Sequence, residues 1–185
     1  MRTVRDALRS ISRYMSEAFG DDWEVGFFAQ EGAFSRPGIA VRTAGPLLSG
    51  GSRHTADLTQ PIAVYVYPAE GESVEATFDN VMAAEERLWQ AIQVGIGAGR
   101  PYRIPLYDFE GVAIDEGSLL RRYPDYLRVL DLSINRAQSP EDEKKWTVTG
   151  EMRVGWRRSA ELPTGSRLAQ KLRITQSLES EIDGS

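Results

Sequence analysis

Trp146-Thr147-Val148-Thr149-Gly150-Glu151-Met152-Arg153-Val154-Gly155-Trp156-Arg157-Arg158 is the stretch on which the fold turns. Trp146, Val148, Met152, Val154 and Trp156 fall at every second position, and Thr147, Thr149, Glu151, Arg153 and Arg157 fill the positions between. A period of two is the signature of a strand with one face buried and one face wet. The preceding stretch, Tyr126 to Ala137, repeats the pattern, with Leu130, Leu132 and Ile134 set against Asp131, Ser133 and Asn135. Between them Gln138-Ser139-Pro140-Glu141-Asp142-Glu143-Lys144-Lys145 makes a charged hairpin loop. Each strand extends ~40 Å at ~3.3 Å per residue, about twice the usual strand length. The hairpin is therefore expected to project beyond the core or to pair with something outside it.

Upstream, Ile62-Ala63-Val64-Tyr65-Val66-Tyr67 reads as a strand buried on both faces. Trp23 to Ala29 and Gly38 to Thr43 read as short strands around an Arg36-Pro37-Gly38 turn. Residues 44–60, with Gly45-Pro46 and Ser49-Gly50-Gly51-Ser52, read as a long mobile connection. Ile104 to Tyr107 and Val112 to Ile114 are expected as edge strands, where Pro105 is tolerated. Two helices complete the set. Val4, Ala7, Leu8, Ile11, Tyr14, Met15 and Ala18 form one stripe, capped by Thr3 and ended by Gly20. Phe78, Val81, Met82, Leu88, Trp89, Ile92 and Ile96 form the second, interrupted by Glu85, begun at Ser73 and ended by Gly95, Gly97 and Gly99. Trp89, Trp146 and Trp156 are expected in the core. The sum is an α+β fold: an antiparallel or mixed sheet with two amphipathic helices packed on it and a long C-terminal hairpin. One domain covers 1–158, and 159–185 form a flexible tail with a short helix around Leu168 and Leu172, disordered or docked on a neighbouring subunit.

Composition narrows the chemistry. The 185-residue chain has no cysteine, which removes thiol nucleophiles, disulfides and cysteine-ligated zinc. Its single histidine, His54, sits in the Gly/Ser loop without the rigid neighbours that catalysis needs. Gly95-Ile96-Gly97-Ala98-Gly99 follows a helix, whereas a nucleotide-binding glycine loop precedes one, so it reads as a helix end. Glu85 and Glu86 are adjacent and point apart, so they are a poor acid–base pair. No catalytic, cofactor-binding or metal-ligating residue is assigned, and the chain is not expected to be an enzyme. A net charge of −5 disfavours non-specific nucleic-acid binding by the whole molecule, although Arg153, Arg157, Arg158, Arg167, Lys171 and Arg173 make the last third locally basic. No run approaches the ~18 apolar residues of a membrane span.

Four stretches, together with the order of elements, resemble the tail terminator (tail completion) proteins of long-tailed bacteriophages, particularly actinobacterial ones. They are Pro61 to Val66, Ala84 to Ile92, Ile104 to Val112, and Asp125 to Ser133 running through Trp146 to Met152–Arg158. The likeness covers residues 1–158 and is one of pattern and order. It implies a structural virion protein, assembled in the host cytoplasm and placed at the head-proximal end of the tail. Such a subunit forms a hexameric ring on the tail tube, stops tube growth and offers the face to which the head joins. It can stay monomeric until it meets the tail. The implied partners are other copies, the major tail tube protein and a head-completion or neck protein, with DNA passing through the lumen without specific binding. A head–tail connector or neck subunit is the alternative, and a small enzyme with an unrecognised site is the remote one. The residues expected at contacts are the polar hairpin face (Thr147, Thr149, Glu151, Arg153), the hairpin tip (Asp142, Lys144) and the loop residues Leu47, Leu48 and Arg53.

Overall fold

The computed structural model describes residues 3–27, 36–52, 55–107 and 126–159. The expected strand at 112–114, His54, Arg53 and the segment 160–185 lie outside the described residues. In chain order the elements are α1 (Val4–Phe19), β1 (Glu24–Phe27), β2 (Gly38–Thr43), β3 (Leu48–Ser52), β4 (Thr55–Tyr67), α2 (Val74–Gln93), β5 (Arg103–Pro105), β6 (Tyr126–Gln138) and β7 (Trp146–Ser159). The fold is α+β, with seven strands in one mixed sheet of order β1-β2-β4-β7-β6-β5 and β3 paired to β4. β1 and β2 pair in parallel, and every other pairing is antiparallel.

Both helices lie on the face that carries Ile62, Val64, Val66, Val148, Met152 and Val154. α1 begins with a full capping box, in which Thr3 and Asp6 satisfy each other's backbone N–H. It buries Ala7, Leu8, Ile11, Tyr14, Met15 and Phe19. α2 is capped by Ser73, whose hydroxyl accepts the Ala76 N–H at 3.1 Å, and it buries Val81, Ala84, Leu88, Ala91 and Ile92. It settles over β7 where Gly150 offers no side chain; a Cβ there would stand 2.9 Å from Leu88 Cδ2.

The glycine turn after α2 is built around Tyr14. The Tyr14 hydroxyl donates to the Ala91 carbonyl at 2.7 Å and accepts the Ile96 N–H at 2.9 Å. Gly95 and Gly97 take positive φ values of 88° and 50°, and a Cβ on Gly99 would lie 2.7 Å from the Tyr14 ring. The turn thus closes a helix against a buried phenol, and burial raises the Tyr14 pKa.

Three expectations are corrected. Within residues 44–60, the stretch expected as a mobile connection, β3 and the start of β4 form antiparallel strands, with Leu48 opposite Thr59 and Ser49 opposite Leu58. The short, polar and glycine-rich β3 has too little apolar alternation to declare itself. The β6–β7 hairpin does not stand clear of the core. β4 runs alongside β7 from Thr55–Ser159 to Val66–Val148, so β7 is an interior strand. Finally, Trp89 is 44% exposed rather than core, and Phe78 and Met82 are exposed with it.

Candidate assembly surface

The face of the sheet opposite the helices is polar. Across it run the rows Tyr65–Thr149–Asn135, Ala63–Glu151–Ser133 and Pro61–Arg153–Asp131. No helix covers this face among the described residues. Asp131 accepts the Arg153 backbone N–H at 2.8 Å and takes the Arg153 guanidinium at 2.5 Å. The guanidinium beside it holds the Asp131 carboxyl below the usual carboxylate range. Both partners are roughly half exposed, so this pair orders the face more than it stabilises the fold. Thr147, Thr149, Glu151 and Arg153, expected at a subunit contact, lie on this polar face, the last three on the stretch of β7 that is paired along both sides.

The free backbone lies elsewhere. β5 covers β6 only at Tyr126–Arg128, and the Tyr102 carbonyl accepts the Val129 N–H at 2.9 Å. From Leu130 to Gln138 the outer side of β6 has no strand partner among the described residues. On the other side of the sheet, β3 pairs only with β4, so its outer side is also open among the described residues. The two open edges differ in position. β3 lies level with Gly155–Ser159 of β7, whereas Asp131–Gln138 lies level with Trp146–Arg153. They occupy opposite sides and opposite ends of one sheet.

Each edge carries exposed apolar side chains. Leu47 and Leu48, at the start of β3, are 44% and 55% exposed. Along the β6 edge, Met82, Glu85, Glu86, Trp89 and Gln93 of α2 and Leu132 and Ile134 of β6 line a groove of about 470 Å³. Beside the groove, the Arg136 guanidinium stands 3.5 Å from Glu85 and 5.7 Å from the centre of the Phe78 ring. Sequence reasoning missed the groove, yet a signal was present. At ~100° per residue the apolar positions of α2 span about 180°, wider than one buried stripe requires. Ala91, Ala84, Leu88, Val81 and Ile92 are buried and use about 100° of that arc, and Phe78, Trp89 and Met82 are the remainder.

The hairpin tip is tied down. Asp142 accepts the Lys144 N–H at 3.0 Å and pairs with Lys145 at 3.2 Å, and these bonds lower its pKa. Lys144 donates to the Glu72 carbonyl at 3.0 Å, fixing the tip to the approach of α2. A smaller hollow of about 360 Å³ on the polar face is lined by Asp57, Thr59, Tyr126, Arg128, Leu130 and Gly155, with Asp57 its single carboxylate. Among the described residues no cluster of histidine and carboxylate side chains could hold a metal ion, and no helix is long and apolar enough to cross a membrane. Comparison with protein-family models finds no match, and comparison with curated proteins finds none.

Proposed function

We propose that this chain is a structural virion subunit, a phage tail terminator that caps the tail tube as a ring, stops its growth and presents the surface to which the head joins. The observation that carries this reading is a sheet that, among the described residues, is open along two unlike edges on opposite sides and opposite ends. A strand edge is a template for another chain, and pairing unlike edges is a heterologous contact that propagates until it closes. Closure of a sheet also requires its strands to be staggered between neighbours, and the offset of the two edges supplies a stagger. The order of elements, similar to that of tail terminators, narrows the assembly to the tail. The acidic net charge of −5 suits a channel that lets DNA pass without holding it. The implied partners are further copies, the tube protein and a neck protein.

The test is growth of tail tubes from purified tube protein, followed by light scattering, with and without this protein. Arrest of elongation at substoichiometric amounts is expected. Tubes that lengthen at an unchanged rate would count against the terminator reading, and binding to head-side connectors without arrest would favour a neck subunit instead.

A further inference from the structure

The groove between α2 and β6 is an acceptor looking for an apolar side chain on an added strand. Its walls are Met82 and Trp89 on the helix and Leu132 and Ile134 on the strand, and the outer side of the backbone beside it from Leu130 to Gln138 has no strand partner among the described residues. Main-chain bonds from an added strand would supply affinity there, and the groove would select the side chain that enters. The occupant has to bring an open edge and an exposed apolar residue next to it. The outer side of β3, entered through Leu47 and Leu48, brings both.

We infer that the Leu47–Gly51 edge of a second copy adds antiparallel to the Leu130–Ile134 edge of β6, with Leu47 opposite Ile134 and under Trp89; this rests on the ring-forming reading above. The direction follows from the sheet. β3 is antiparallel to β4, β4 to β7 and β7 to β6, so β3 runs opposite to β6. Copies related by rotation about an axis inclined ~35–45° to the strands, the tilt that goes with a stagger in closed sheets, therefore bring these offset edges together antiparallel. The face follows as well. Leu48 lies opposite Thr59, on the polar side of the sheet, and strand alternation sends Leu47 to the helical side, where the groove lies. One strand and one anchoring leucine bury less than the ~1,200 Å² of a stable standard interface, so the contact is weak between free copies and strong only once the ring closes or the tube templates it.

The lack of native cysteine makes the test clean. The full chain carrying Leu47→Cys and Ile134→Cys together is oxidised mildly, alone and with tail tubes, and run on a non-reducing gel. Within one chain β3 and β6 are separated by β4 and β7, about 14 Å at ~4.8 Å per strand, too far for an internal disulfide. The expected result is a ladder of covalent multimers that ends at the closed ring, with each single variant giving no ladder and an equimolar mixture of the two singles giving the mixed dimer. Leu47→Cys with Trp89→Cys repeats the test at an exposed acceptor position, should Ile134→Cys fail to fold. Self-dimers of Ile134→Cys or of Leu47→Cys as abundant as the mixed dimer would overturn the inference in favour of like edges pairing. Rings on tube ends without any crosslink would overturn it while leaving the ring-forming reading standing. Bare tubes without crosslinks would sink both.

Discussion

Pro61 removes a backbone donor from a strand that has neighbours on both sides, and Gln60 supplies the replacement. The Pro61 carbonyl accepts the Ala44 N–H at 2.9 Å, so its missing N–H also points toward the chain between β2 and β3. There the Gln60 side-chain amide, 2% exposed, donates to the Gly45 carbonyl at 2.6 Å and the Pro61 carbonyl at 3.1 Å. Each such bond is worth ~0.5–1.5 kcal/mol net, and removing the buried Gln60 amide loses both. Gln60→Ala is therefore expected to lower unfolding stability by ~1–3 kcal/mol in chemical denaturation. A change within ~0.5 kcal/mol, the range of an ordinary surface substitution, would contradict this role. Neither role was legible beforehand. A glutamine before a proline looks like a strand boundary, and Tyr14 looks like one more apolar position on a stripe, because a hydrogen-bond partner distant in sequence leaves no local trace.

At the level of elements, period and capping were legible and pairing was not. The alternation of β7, the caps Thr3 and Ser73 and the glycine stop at Gly20 stand as read, whereas in β6 a bulge between Val129 and Asp131 takes Leu130, read on one face with Leu132 and Ile134, out to the polar side, 48% exposed. These are local properties, fixed by side chains within a turn or two. The partner of each strand is a long-range property, so the hairpin reads from its sequence as projecting or as pairing outside the core, whereas β4, nearly as long as β7, lies beside it. The polar strand β3 was taken for a loop for the same reason: its pairing with β4 orders it, not its own composition. Of the expected contact residues, Leu47 and Leu48 are placed on an open edge, the β7 positions on a closed strand, and Asp142 and Lys144 in a tip that bonds to itself and to the Glu72 carbonyl. Because both leucines are half exposed in the single chain, Leu47→Ser with Leu48→Ser is expected to leave thermal unfolding nearly unchanged, within the ~0.5 kcal/mol of a surface change, while weakening assembly. Loss of several kcal/mol on calorimetry would show instead that the chain's own core uses them.

For the whole molecule, the arrangement separates stability from assembly. The helices and the buried face of the sheet make a core that closes within the chain, around Leu8, Ile11, Tyr14, Val64, Leu88 and Val154. Among the described residues nothing pairs with the outer edges of β3 and of β6 beyond Val129, and under the proposed function these edges, the polar face and the α2 groove are what other copies would meet. Energy gained where copies meet, rather than bond-making in a cleft, is the property this layout favours. The most direct measurement is electron-microscopic class averaging of tube ends capped with this protein. A six-fold ring with sheet density continuous from β6 of one subunit to β3 of the next is predicted; tube ends without a ring, or a ring whose subunits leave both strand edges bare, would contradict it.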